Sequence, residues 1–169
     1  MHAEVKKYCE SVKKRFPEYF IARSVLDCGS LDINGNNRYL FEKCHYTGID
    51  IAKGKNVDVV TQVHLFNPGV GFDVVISTEM LEHDRHYVKT LQNISFLTKS
   101  GGLILFTAAG AGRAEHGTSE NNPDDSPETH DYYCNITAAM IAEALNLELF
   151  SWFEISYIDT DIRFAGIKR

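Results

Sequence analysis

The 169-residue chain carries 17 Lys and Arg against 23 Asp and Glu, a net charge of −6, with 44% hydrophobic and 24% charged residues. That length and composition fit one soluble globular domain with a sizeable core. The acidic balance disfavours non-specific nucleic-acid binding, which rests on clustered cations. No apolar run reaches the length of a membrane span and no signal-like start is visible, so a cytoplasmic protein is expected. Cys9, Cys28, Cys44 and Cys134 form no C-x-x-C pair, which argues for reduced thiols over a zinc ribbon or thioredoxin-like motif.

Val5, Tyr8, Cys9, Val12 and Phe16 recur at helical spacing and Pro17 follows, so residues 1–20 read as an N-terminal helix. Lys6, Lys7, Lys13 and Lys14 lie on the opposite face, which reads as solvated. Short apolar strands are predicted at 24–28, 46–51, 57–60, 72–77 and 103–107, with helical patterns at 37–43 and 79–97. Strand and helix in alternation imply right-handed crossovers and a parallel sheet. The stretch "KSGG" at 99–102 reads as a helix stop and turn. Residues 108–135 are long, aperiodic and rich in Gly, Asn, Asp, Ser, Pro and His, a composition that marks a functional loop. A helix at 137–145 and two strands at 148–156 and 162–168 follow, and the short turn between those strands predicts antiparallel pairing. Neither an internal repeat nor a linker divides the chain, so residues 1–169 read as one domain.

"VLDCGSLDINGN", residues 25–36, ends an apolar run in an acid and a glycine, then turns polar. This is how a nucleotide-binding strand and loop begin, yet Leu31 and Ile33 stand where a dinucleotide fingerprint has further glycines. Gly29 permits a sharp turn at the carboxyl end of the strand, and Asp32 and Asn34 have side chains that close such a turn, with Gly35 at its end. Asp50 ends the second strand, where a carboxylate suits both hydroxyls of a ribose.

Taken in order, "VLDCGS", "YTGIDIA", "FDVVISTEMLEH" and "LTKSGGLILFTA", followed by a terminal hairpin, resemble the class I S-adenosylmethionine-dependent methyltransferases. The resemblance covers nearly everything from Ser24 onward, and the chain is similar to the methyltransferase type 11 and ubiquinone-biosynthesis O-methyltransferase-like group. It implies a Rossmann-like, doubly wound α/β fold: a mostly parallel seven-stranded sheet with an antiparallel C-terminal hairpin. It also implies S-adenosylmethionine as cofactor and S-adenosylhomocysteine as product. Donor contacts are implied at Asp27, Gly29 and Ser30, at Asp50 and Ile51, at Gln62 and Val63, and at Ser77 and Thr78. Gln62 stands where the family often has an acid that reads the adenine amino group, and its amide oxygen accepts the same hydrogen bond. S-adenosylmethionine has no pyrophosphate, so the missing glycines matter less, and the N-terminus of a helix after the loop is expected to face its carboxylate.

At the reacting end, "EMLEH" on a helix puts Glu79, Glu82 and His83 on one face. It resembles a metal-binding motif of small-RNA 2′-O-methyltransferases and of ubiquinone-biosynthesis O-methyltransferases, and "THDYYCNIT" resembles a segment of the latter that would bring His130 to the same place. A divalent metal through Glu79, Glu82 and His83 is thus an alternative, but the expectation is that His83 and His130 act on the acceptor without one. His116 is a further loop histidine that faces the acceptor if the loop forms its wall. The expected reaction is O-methylation of a small molecule. A non-catalytic donor-binding protein or subunit, and a nucleic-acid or sugar-linked acceptor, are the alternatives; a homo-oligomer is open.

Overall fold

Helix α1, Ala3–Arg15, buries Val5, Tyr8, Cys9 and Val12, the stripe set by their spacing. Glu4 lies in its first turn and Lys13, Lys14 and Arg15 in its last, matching the helix dipole at both ends. Pro17 ends it by opening a separate 3₁₀ turn, Pro17–Phe20. The computed structural model describes residues 2–126 and 128–169.

The strands are β1 (Ser24–Cys28), β2 (His45–Asp50), β3 (Val59–Val60), β4 (Phe72–Thr78), β5 (Thr98–Ala109), β6 (Phe150–Ile158) and β7 (Asp161–Lys168). Helix α2 is Tyr87–Leu97 and α3 is Ala138–Ala144. Among the described residues these strands form one seven-stranded sheet in the order β3-β2-β1-β4-β5-β7-β6. The pairs from β3 to β5 are parallel, and β7 joins both β5 and β6 antiparallel. The chain leaves β1 toward β2 and β3, then crosses back to β4. That reversal between β1 and β4 opens a crevice at the carboxyl ends of the strands.

Both faces of the sheet are covered, which is why its central strands read as continuous apolar runs. Alternate residues Val25, Val74, Ile76, Leu103 and Leu105 pack toward α1. Leu26, Cys28, Val75, Ile104 and Phe106 pack toward α2 and α3. Each such large side chain taken fully out of water contributes about 1.5–3 kcal/mol. Among the described residues no helix is long and apolar enough to cross a membrane.

Three predicted elements differ. The helix at 37–43 is only a 3₁₀ turn, Arg38–Leu40. A helix that short is unfavourable by itself, and here Arg38 is drawn to Asp58 at 2.7 Å. The pattern at 79–97 splits into a 3₁₀ turn, Leu81–His83, and α2. The break follows from Asp84, whose carboxylate accepts the His86 N–H at 2.7 Å and the Thr90 hydroxyl at 2.5 Å, holding the chain ahead of Tyr87 out of the helix. Residues 99–102 belong to β5, where the register against β4 jumps and Gly101 takes φ +74°. The remaining strand and helix boundaries lie within a few residues of the sequence expectation, α3 being capped by the Thr137 side chain, which accepts the Met140 N–H.

Candidate active site

A cleft of about 620 Å³ opens at the carboxyl ends of β1, β2 and β4. Gly29 forms its floor at φ +76°, a left-handed conformation that suits glycine. The N–H groups of Gly29 and Ser30 donate to the Ile49 carbonyl at 2.9 and 3.0 Å, tying the exit of β1 to β2. A Cβ on Gly29 would fall against Met80, 2.6 Å from its Cβ, so the loop after β4 is packed directly on this glycine.

Asp27 is buried beneath the floor, where it accepts the Tyr46 hydroxyl and the Asn37 amide, the latter at 3.2 Å. Burial pushes its pKa up to about 6, against the opposing pull of those two donors. The Asn37 amide also reaches the Thr78 hydroxyl at 3.1 Å, while its Oδ1, buried at the cleft, has no partner. Asn37 and Tyr46 escaped the sequence reading. Tyr46 lies on β2, and only parallel pairing with β1 brings it to Asp27.

Asp50 reaches the cleft from the end of β2. Its oxygens accept the Leu31 N–H at 3.1 Å and the Ala52 N–H at 2.9 Å. Burial raises its pKa, and those backbone donors oppose the rise. The expected helix N-terminus after β1 is absent, because residues 29–37 run as an irregular loop before the Arg38–Leu40 turn. Asp32 closes that loop as expected: it accepts the Gly35 N–H at 2.8 Å and the Asn36 amide at 2.9 Å and pairs with Lys55 at 2.8 Å. Lys55 is the main reason its pKa falls to about 2.

Ile51, Gln62 and Val63 also line the cleft, and Asn93 donates to the Val63 and Phe66 carbonyls at 2.7 and 2.9 Å, fixing the turn that carries Val63. Ser30 lines it too, but its hydroxyl donates to the Asn56 carbonyl at 3.1 Å. Ser77 does not line it: its buried hydroxyl donates to the Cys28 carbonyl at 2.9 Å. Thr78, one residue on, is on the cleft wall. Adjacent strand residues point to opposite faces, so the two cannot share a role.

The acidic motif is divided. Glu79 takes φ +54° at the end of β4, so Glu79, Glu82 and His83 do not share a helix face. Glu79 accepts the Thr107 hydroxyl at 2.8 Å and lies 3.3 Å from His2 and 4.0 Å from Arg113. His2 is also 3.2 Å from Asp161, which pairs with Arg113. Burial would raise the Glu79 pKa, but His2, Thr107 and Arg113 outweigh it and the pKa is lowered. No local sequence signal marks His2 or Arg113, because their partners lie far off in the chain.

Glu82 turns the other way. Its Oε1 accepts the Ala109 N–H at 3.1 Å, and burial, with Glu79 adding, raises its pKa to about 8. Burial and the neighbouring His116 lower the His83 pKa to about 4, so this imidazole is neutral at physiological pH. His116 is the loop histidine that meets His83, with ring centroids 5.1 Å apart, and Tyr133 packs on both rings at 5.6 and 5.1 Å. His130 does not line the cleft; its carbonyl accepts the Ser119 N–H at 3.0 Å.

The sequence matches the methyltransferase-domain family over residues 1–149. A search of curated protein sequences found no match. Among solved structures, the chain is similar to the Burkholderia thailandensis 1,6-didemethyltoxoflavin-N1-methyltransferase with bound 1,6-didemethyltoxoflavin and S-adenosylhomocysteine. The TM-score is 0.69 at 15% identity, over 98% of this chain and 78% of that one. It is similar to Haemonchus contortus phosphoethanolamine N-methyltransferase 2 in complex with phosphomonomethylethanolamine and S-adenosylhomocysteine, at TM-score 0.67 and 17% identity, over 96% of this chain and 52% of that one. It is also similar to the N-methyltransferase NodS of Bradyrhizobium japonicum WM9 in complex with S-adenosylhomocysteine, at TM-score 0.62 and 14% identity, over 97% and 86%. At these identities the likenesses establish the fold, and the family match spans most of the sequence: the chain belongs to the class I S-adenosylmethionine-dependent methyltransferases.

Proposed function

We propose that the cleft holds S-adenosylmethionine across the ends of β1 and β2 and that the protein methylates a hydroxyl of a small polar molecule. One observation carries the donor assignment: Asp27 and Asp50 flank the left-handed Gly29, and the buried Asn37 Oδ1 beside them has no partner. These residues fit the donor. The unpaired Asn37 oxygen and the Asp27 carboxylate suit its ammonium, Asp50 suits its ribose hydroxyls, and Gln62 with the Val63 turn suits the adenine. Gly29 lets the donor lie directly on the backbone.

The donor supplies an already activated methyl group, so the protein's task is chiefly to position the acceptor in line with it. Thr78, Glu79, His83 and His116 form the wall on that side of the cleft. His83, being neutral, offers a lone pair toward an acceptor hydroxyl, and His116 packs against it. The net charge of −6 favours a small acceptor over a nucleic acid. A second reading, N-methylation, is favoured by the three similar enzymes, which are N-methyltransferases by name.

The test is calorimetric titration with S-adenosylhomocysteine, followed by turnover of labelled donor against pooled hydroxyl, amine and nucleic-acid acceptors. Donor binding with label in hydroxyl acceptors is expected. Label only in amines would overturn the O-methylation reading. Donor binding without turnover would favour a binding subunit, and absent donor binding would overturn the whole assignment.

A further inference from the structure

We propose that the outer edge of β6 is the interface for a second copy of this chain, the two β6 strands pairing antiparallel about a two-fold axis at Ile155. No residue of Phe150–Ile158 lines the cleft, so this interface stands apart from the methyltransferase chemistry.

β6 ends the sheet, and among the described residues no strand pairs with its far side. Alternate residues of such an edge point their N–H and C=O groups outward, a template for another strand. Native edges are commonly blunted by shortness, by Lys or Pro, or by a bulge. The opposite edge, β3, is only Val59–Val60. β6 runs for 9 residues with neither Lys nor Pro. Its register shift against β7 lies at its start, between Phe150 and Trp152, so residues 152–158 are regular.

The side chains along that edge form an apolar row. Phe153, Ile155 and Tyr157 pair with Gly166, Phe164 and Ile162 of β7, which puts them on the α2 and α3 side of the sheet. Phe153 and Tyr157 are 41% and 45% exposed, and Ile155 between them is half-buried. Trp152, Glu154 and Ser156 take the α1 side, where Arg15 pairs with Glu154 at 2.8 Å.

Charge selects both the occupant and the register. In an antiparallel pair of identical strands the two-fold axis stands perpendicular to the sheet, so the apolar row of one copy continues into that of the other. Centred on Glu154, the pair would set two carboxylates opposite each other, which is unfavourable. Centred on Ser156, it would press Glu154 against the partner's Ile158. Centred on Ile155, it sets Glu154 opposite the partner's Ser156 and Phe153 opposite the partner's Tyr157, while the two Ile155 side chains meet on the axis. Aromatic and β-branched pairs of this kind stabilise a sheet. The contact is also closed: it uses both β6 edges and leaves only the two-residue β3 at either end, so assembly stops at a dimer.

The test is sedimentation velocity of the purified chain over a micromolar concentration series. A reversible monomer–dimer equilibrium is expected. Ile155→Lys, which brings two ammonium groups together on the axis, and Phe153→Lys should each weaken the dimer roughly 10-fold or more. Ser156→Lys, which faces the partner's Glu154, should keep or tighten it. Far-ultraviolet circular dichroism and affinity for S-adenosylhomocysteine should stay unchanged in all three. Ile155 also packs against the core, so Ile155→Cys gives a gentler check. Residues directly opposite have Cα atoms about 4.5–5.5 Å apart, within reach of a disulfide. Diamide should therefore cross-link Ile155→Cys but neither the wild type nor Ser156→Cys, whose two copies lie on a diagonal of about 7–8 Å. A wild type that stays monomeric throughout the series would overturn the proposal. So would a dimer indifferent to Ile155→Lys and Phe153→Lys, one weakened as much by Ser156→Lys, or cross-linking through Ser156→Cys in place of Ile155→Cys.

Discussion

Gly29→Ala tests the floor of the cleft. At φ +76° an alanine occupies the left-handed region, at a cost of about 1–2 kcal/mol. Its Cβ would also lie 2.6 Å from Met80 Cβ, well inside van der Waals contact. Forcing the β4 loop and the β1 exit apart adds about 1–3 kcal/mol, the usual scale of overpacking. The sum, about 2–5 kcal/mol, is a large part of a typical total of ~5–15 kcal/mol. Because Gly29 and Ser30 are hydrogen-bonded to Ile49, and Leu31 to Asp50, displacement also disturbs the donor side. Urea denaturation is expected to show a lowered midpoint with an unchanged slope, and calorimetry a weakened affinity for S-adenosylhomocysteine. Adding Met80→Gly removes both clashing atoms, so the double variant should recover the packing cost, a coupling of about 1–3 kcal/mol, and leave the backbone strain in place. A Gly29→Ala protein with the wild-type midpoint, or a double variant with no coupling, would refute this account of the floor.

Asp50→Asn keeps an acceptor for only one of the Leu31 and Ala52 N–H groups, which the two Asp50 oxygens take separately, and loses its charge toward a ribose, so donor affinity should fall by about 1–3 kcal/mol in calorimetry. Asp32→Ala, whose carboxylate is used by Gly35, Asn36 and Lys55, should change affinity much less; equal losses would misplace the ribose. Asp73 loses some solvation, which opposes ionisation, but Lys99 and Ser24 hold its pKa at about 2, below its ordinary 3.8. Its contribution, about 1 kcal/mol after discounting for solvent screening, should be complete above pH 3.8 and lost as pH falls toward 2. The urea-stability gap between wild type and Asp73→Asn should close over that interval, and a constant gap contradicts the assignment. The hydrogen bond to Glu79 raises the His2 pKa above 6.5, outweighing burial. Its stabilising effect is therefore fully present below pH 6.5 and fades as pH rises through the raised value. Amide exchange in the first turns of α1 should quicken across that range, beyond its intrinsic pH dependence, in the wild type and not in His2→Ala.

The strands were legible from the sequence because a sheet covered on both faces writes itself as short apolar runs. Asp27, Gly29 and Asp50 were legible with them, since each sits at a strand end, where local pattern and position in the fold coincide. Ser77 and Thr78 show where that legibility stops. They are neighbours of similar chemistry, but the pleat turns one hydroxyl to the Cys28 carbonyl and the other to the cleft. Helical periodicity placed Glu79, Glu82 and His83 on one face, whereas the left-handed turn at Glu79 sends it to His2 and leaves Glu82 and His83 with His116. An aperiodic loop carries no signal that distinguishes His116 from His130. His2 and Glu79 are 77 positions apart. Local sequence dictates backbone conformation within a few residues, and so it determined most of the strands, their order and the acids at the strand ends that line the cleft. Which polar side chains converge on the far wall of the cleft depends on loop closure and strand register over tens of residues, and only the folded chain decided that.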